Sequence, residues 1–381
     1  MILKETLVRR IHSSACIIFV LMSGVFLPLS AHGSEKNKAE VEKSSDTSAR
    51  KTEQSDAIQN LIREIERNEK LYANLKITFT SDYEKLPKPV DLNKQIQSKT
   101  QTSIDLQGQK YRIQTQATGR FELAFRSLPK KPVNHSISGT HERVETFDGN
   151  THRGIWKSNK TSIVKGGPQR ITSDGQISDE PTSLTNLVRP HMFLLDGGCP
   201  KVPLSTYLKG TKAVLAHPNP SYVSKNSVTD VKILGDAKFQ GLRCTKIQIE
   251  TTLGNGNIHS KWELWLTRDR NLIPVRKFAY TYRWSKELPI AESTVDEWQE
   301  VRPGVWFPRK AHTDRYDSRI AKREGKQKLS WKKHHDVKSI VLDPQIKPEV
   351  FTKLDFPPGT SVSIVKDGKR IQEKDEDTRD Q

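Results

Sequence analysis

At 381 residues the chain is long enough to bury a sizeable core, as one large β domain or two smaller ones. It carries 63 basic against 45 acidic residues, a formal charge of +18. That excess points to anionic partners (lipid head groups, polyanionic saccharides or nucleic acid), with an ordinary solvated basic surface as the plain alternative; the strand-rich pattern described below argues against a helical reader of nucleic acid.

Residues 1–33 have the layout of an export signal. Lys4, Arg9 and Arg10 form a basic segment and Ala15–Leu29 an apolar one. Leu29-Ser30-Ala31 and Ala31-His32-Gly33 both offer small-residue cleavage ends. The apolar run is short for a bilayer span, and retention as an anchor is the alternative. Cys16 precedes that run, where a lipid-attachment cysteine would follow it. Cleavage would leave the protein periplasmic or secreted, with Cys199 and Cys244 as its two cysteines. They form one bridge or stay as two buried thiols.

Residues 34–55 are polar and free of aromatics, which predicts a disordered tether. From Asp56 onward Ile58, Leu61, Ile62 and Ile65 fall at helical spacing, predicting an amphipathic helix through Leu71. Leu75, Ile77 and Phe79 then alternate with polar residues, the period of a half-buried strand. Residues 100–106 and 110–117 form two more strands, with Arg112 pointing opposite to Tyr111 and Ile113. Residues 130–139 read as irregular and 173–181 as a polar loop. Between them, Asp148-Gly149-Asn150 joins two strand-like runs as a hairpin turn, and Trp156 just after it is assigned to the core.

The character shifts at 182–195. Leu184, Leu187, Met192 and Phe193 suggest helical pieces interrupted at Pro190, placed where a lid over a sheet would be encoded. Strands follow at 228–234 and 242–252, and then a meander over 261–312. In its first run Trp262, Leu264 and Leu266 share one side; in the next Phe278, Tyr280, Tyr282 and Trp284 share one side. Arg302-Pro303-Gly304 supplies a later turn. One more strand covers 328–342, a last one 361–365, and residues 366–381 form a charged, disordered tail. The fold class is mainly β with some α: a curved antiparallel sheet or half-open barrel, with an N-terminal amphipathic helix and short lid helices. The candidate lining of an apolar cavity is Phe79, Tyr111, Ile113, Trp262, Leu264, Phe278, Tyr280 and Tyr282; the alternative is that these residues form a closed core.

Several stretches carry a family pattern. LYANLKITFTSDYE, GQKYRIQT and ETFDGNTHRGIW resemble the opening, and KWELWLTRDRNLIPVRKFAYTY, EWQEVRPGVWFP and PEVFTKLDFPPGT the closing strands, of the LolA/LolB-like outer-membrane lipoprotein-sorting superfamily. The resemblance covers about half of the mature chain. It implies a single domain over 56–365, a half-open barrel closed by helices around an apolar cavity that takes acyl chains. The chain departs from that pattern by its extra length, chiefly an insertion at 120–240. Arg112 is the nearest match to the arginine that holds the lid in such carriers.

Chemistry is sparse. His312, Asp314, His334, His335 and Asp336 are the best metal-like grouping, but no spacing matches a zinc pattern, and His334 and His335 should point to opposite faces. Asp296, Glu297 and Glu300 beside Trp298 could suggest a saccharide-cleaving pair, which must straddle a substrate at about 5–9.5 Å. No catalytic residue, metal or cofactor is assigned. The reading is an exported, non-enzymatic carrier or chaperone for lipoprotein acyl chains or another lipid. Two alternatives stay open: an envelope stress-sensing or scaffold protein that binds a protein partner or an anionic membrane surface through its basic face, and a secreted saccharide-active enzyme.

Overall fold

The computed structural model describes residues 43–86, 96–123, 135–161, 170–179, 188–195, 202–217, 226–366 and 369–371. The chain divides into Met1–Lys51, of which the start of the first helix is described, and Thr52–Gln381, which holds every element that follows it. The export-signal expectation lies outside the described residues.

Among the described residues fifteen strands form one curved, unclosed sheet. The first six are β1 Asn74–Lys85, β2 Ile96–Gln107, β3 Lys110–Leu123, β4 His135–Phe147, β5 His152–Thr161 and β6 Arg170–Ser178. The meander supplies β7 Val228–Phe239, β8 Leu242–Thr252, β9 Ile258–Thr267, β10 Pro274–Thr281, β11 Ala291–Arg302, β12 Val305–Tyr316 and β13 Leu329–Leu342. The last two are β14 Ser361–Lys366 and β15 Lys369–Ile371. The order across the sheet is β15-β14-β6-β5-β4-β3-β2-β1-β13-β12-β11-β10-β9-β8-β7. Every pairing is antiparallel except β14 with β6, which is parallel. β1 and β13 lie side by side, so the two strand-rich halves of the sequence meet along one seam at mid-sheet.

Several local expectations are revised. The helix, α1, spans Lys43–Lys70 and so begins inside the stretch read as a tether; its Lys, Glu, Gln, Ala and Arg content suits a helix. Residues 135–139 belong to β4 and residues 173–178 to β6, because polar strands with few apolar residues are still hydrogen-bonded on both sides by their neighbours. The tail contributes β15. The Asp148 hairpin is as the sequence predicts. Its Oδ1 accepts the backbone N–H groups of Asn150 and Thr151 at 2.9 and 2.8 Å, and Gly149 takes φ +105°. Gly304 likewise takes φ +73° in the β11–β12 turn.

Two apolar clusters lie mostly on one side of the sheet, hereafter the inner face; Cys244, Phe239 and Trp265 of the first lie on the other. The first joins Leu75, Ile77, Ile104, Leu106, Tyr111, Ile113, Phe147, Phe307 and Val337. The second joins Ile247, Ile249, Trp262, Leu264 and Leu266 to Leu61, Ile62 and Ile65 of α1. It also includes Leu204, Tyr207 and Leu208 of α2 (Leu204–Leu208) and Val214 of α3 (Thr211–Leu215). The amphipathic stripe predicted for α1 is therefore the cover of β8 and β9.

Candidate functional site: a plugged inner face

Register fixes what the inner face presents, because residues paired across antiparallel strands point the same way. Moving along β1, the paired rows change character. Leu342, Leu75, Leu106, Tyr111 and Phe147 form one row, and Ile340, Ile77, Ile104, Ile113 and Glu145 the next. Val337, Phe79, Thr102, Thr115 and Arg143 follow. Then come Ala311, His335, Ser81 and Thr100. Beyond them lie Thr313, Lys333, Tyr83 and Ser98, and finally Arg315, Trp331 and Lys85. The face thus runs from wholly apolar to aromatic and cationic over about 33 Å, ten residues at strand rise.

The apolar end is occupied. Residues Pro190–Leu195 form a short 3₁₀ helix, all six of them buried. Phe193 inserts its ring among Phe79, Phe307 and His335, at centroid separations of 6.2, 5.8 and 5.2 Å. Val188 and Leu194 join it in the first cluster, while Met192 and Leu195 belong to the second. The segment is a plug that bridges the two clusters. Of the predicted lid residues, Met192 and Phe193 are in it; Leu184 and Leu187 lie outside the described residues.

Polar groups flank the plug. Asn271, at φ +55° in the β9–β10 turn, is a junction. Its carbonyl is 2.8 Å from His191 Nε2, its side-chain oxygen accepts from Trp306 N at 2.9 Å and Tyr72 Oη at 3.2 Å, and its amide donates to Gly304 O at 3.0 Å. His191 is fully buried, and burial pushes its imidazole down to about 4. Glu69, also buried, accepts from the Ser205 hydroxyl at 2.5 Å and ties α1 to α2; burial raises its carboxyl above the usual range. Arg189 donates to Gly108 O at 3.3 Å. Arg189 Nε and His191 Nδ1 are buried without a hydrogen-bond partner. Each such group costs about 1–3 kcal/mol, and Thr267 Oγ1 and Arg270 Nε at the β9–β10 turn are likewise buried without a partner. The turn sequence Arg268-Asp269-Arg270-Asn271 between two strand-like runs is the one sequence signal for this node; nothing marks Glu69, Arg189 or His191.

The eight proposed lining residues do not form one group. Tyr111 and Ile113 are buried in the first cluster, with Phe79 packed against it; Trp262 and Leu264 are in the second. Phe278 and Tyr280 pair with Glu263 and Lys261, and so point away from Trp262 and Leu264, onto the outer face. There Arg276 lies 4.5 Å from the Phe278 ring and Lys261 4.0 Å from that of Tyr280. Lys277 and Ala279 take the inner positions instead. The strand ends at Thr281, so Tyr282 leaves the run and its hydroxyl donates to Glu250 at 3.2 Å. Arg112 also points outward, donating to Lys353 O at 3.2 Å, and is no internal lid arginine. Trp156, assigned to the core, is half-buried beside Arg143.

The other chemistry-bearing groups are spoken for locally. His312 Nδ1 is 2.8 Å from Asp296, and Glu300 accepts from Gly304 N at 2.7 Å, so this carboxylate pair serves a strand contact and a turn. His335 is buried inward on Ser81 Oγ at 2.8 Å while His334 is exposed, on opposite faces as the sequence required. Among the described residues no group of three or more His, Cys, Asp or Glu is arranged to hold a metal ion. Ser178, His152 and Glu145 stand in series at 3.4 and 3.7 Å, but exposures of 4%, 4% and 1% leave no room for a substrate. Cys244 is buried with a free thiol, pushed up to about 11 by burial; Cys199 lies outside the described residues. No described helix is long and apolar enough to cross a membrane.

No family model and no curated protein matches the chain. Solved structures similar to it include a DUF1329 family protein from Desulfovibrio piger, at 9% identity and a TM-score of 0.34, over 77% of this chain and 96% of that one. Another is an outer membrane lipoprotein-sorting protein domain from Vibrio parahaemolyticus, at 10% identity and a TM-score of 0.35, over 76% and 93%. At that distance neither likeness assigns an activity.

Proposed function

We propose that the protein is an exported, non-enzymatic carrier or chaperone for an acyl chain, and that the guest takes the place held by the Phe193 plug. The observation that carries this reading is the plug itself: a six-residue buried segment whose flanking arginine and whose own histidine leave nitrogen atoms unsatisfied. An apolar sheet face needs a cover. Where α1, α2 and α3 supply it, the cover is made of helices; over β1, β12 and β13 it is the short segment that carries Phe193, with Val188, Leu194 and Tyr72 beside it. A guest chain of about twelve methylenes would gain roughly 10 kcal/mol on burial, of the same order as the plug's own apolar contacts. Titration of the purified protein with a monoacyl phospholipid, followed by native mass spectrometry, is expected to give a one-to-one complex. Absence of any complex up to the solubility of the lipid contradicts the carrier reading.

A further inference from the structure

The cationic end of the inner face leads to a feature that the acyl-chain reading does not use. A depression of about 200 Å³ opens at the ends of β1, β12 and β13, lined by Lys85, Arg315, Tyr316, Asp317, Ser318, Arg319 and Ser330. It gathers three cations, three hydroxyls and one carboxylate. Asp317 is engaged: its Oδ1 accepts the backbone N–H groups of Arg319 and Ile320 at 2.9 and 3.2 Å, capping α4 (Ser318–Glu324). The cations and hydroxyls are the donor set that surrounds a phosphate oxygen, and guanidinium groups match its geometry. A second depression nearby, of about 420 Å³, contrasts with it. Asp82, Glu84, Lys99 and His334 are among its lining residues, so it shows no excess of cations over carboxylates.

The depression is also connected. Arg315 and Lys85 share the last inner-face row with Trp331, whose ring is 5.5 Å from Tyr83, one row closer to His335 and the Phe193 plug. Arg315 lies 6.0 Å from that Trp331 ring. An amphiphile laid along this face would meet apolar, then aromatic, then cationic groups in the order of its own parts.

We infer that this depression binds a phosphate group, and that the phosphate belongs to the head of the same lipid whose chain displaces the plug; the second half of the inference rests on the carrier reading above. Lys85, Arg315 and Arg319 supply the charge, Ser318 and Ser330 neutral donors, and Trp331 with Tyr83 the shelf between head and chain. Calorimetric titration of the full chain with inorganic phosphate, dihexanoyl phosphatidic acid and dihexanoylglycerol tests it. Phosphatidic acid should bind at least about tenfold tighter than the neutral lipid of the same chains. The triple variant Lys85→Ala, Arg315→Ala, Arg319→Ala should lose that difference and keep its affinity for dihexanoylglycerol, which also shows that it is folded. The exposed Arg319→Ala alone should lose part of it. Equal binding of the two lipids, or a preference that survives the triple substitution, overturns the phosphate site. Binding of inorganic phosphate with no binding of either lipid upholds the site and removes the acyl-chain reading.

Discussion

The two halves of the inner face are covered in different ways. Over β8 and β9 the cover is built from α1, α2 and α3, whose Ile62, Ile65, Leu204, Tyr207 and Val214 meet Leu264 and Leu266 in one fully buried cluster. Over β1, β12 and β13 it is a short 3₁₀ segment with Phe193 at its centre, joined by Val188, Leu194 and the Tyr72 ring against Phe307. The sheet is continuous beneath both. One continuous sheet therefore carries a helical cover beside a short-segment cover, and it is the carrier proposal that makes the first permanent and the second removable.

The sharpest way to break this comparison is to damage the permanent side. Leu264→Ala should cost about 2–5 kcal/mol in denaturant unfolding, with lipid affinity unchanged in the folded fraction. A weakened affinity would mean that the guest sits under the helices. The next effect is on pH. The His191 imidazole lies at about 4 in the folded protein against 6.5 for an ordinary histidine. A depressed folded value means that its contribution is fully present above 6.5 and is lost as pH falls from 6.5 towards 4. The fall should be on the order of 3 kcal/mol. Glu69 works in the opposite sense, since its raised carboxyl favours the folded state as pH drops. Unfolding of His191→Gln across pH 4 to 6.5 should show the downward slope much reduced, whatever the variant's absolute stability. An unchanged slope would place the titration elsewhere.

Phe193→Ala probes the removable side. It should cost only about 1–2 kcal/mol, less than an ordinary buried phenylalanine, because the plug opens locally. It should also tighten binding of the monoacyl lipid. A loss of affinity would mean that Phe193 holds the guest rather than its place. The smallest effect is expected outside both covers. Tyr280→Ala, on the outer face beneath Lys261, should change stability by under about 1 kcal/mol and leave lipid binding alone.

Much of the sheet was legible in the sequence. The period-two runs at 75–79, 110–117, 242–252 and 261–266 became strands, and the Asp-Gly and Pro-Gly turns formed where their φ preferences placed them. What alternation could not tell was which side of two neighbouring strands coincides. Phe278 and Tyr280 follow the same period as Trp262 and Leu264, yet a register shift between Pro274 and Arg276 and the pairing of Ala279 with Trp262 send them outward. A slip of one residue reverses every side chain, and register is a tertiary property. β6 was missed because its polar residues lack the apolar alternation on which the reading depended. The plug was half seen: Met192 and Phe193 marked its apolar content, but its polar frame of Glu69, Arg189, His191 and Asn271 is assembled from three distant segments.

The central claim is that the plug leaves when the guest arrives. Amide hydrogen exchange of residues 191–195, with and without a bound monoacyl phospholipid, tests it most directly, with β8 and β9 as the internal reference. The account predicts that protection of the plug falls on lipid binding while that of β8 and β9 holds. Protection of the plug that stays the same or rises in the complex would contradict it.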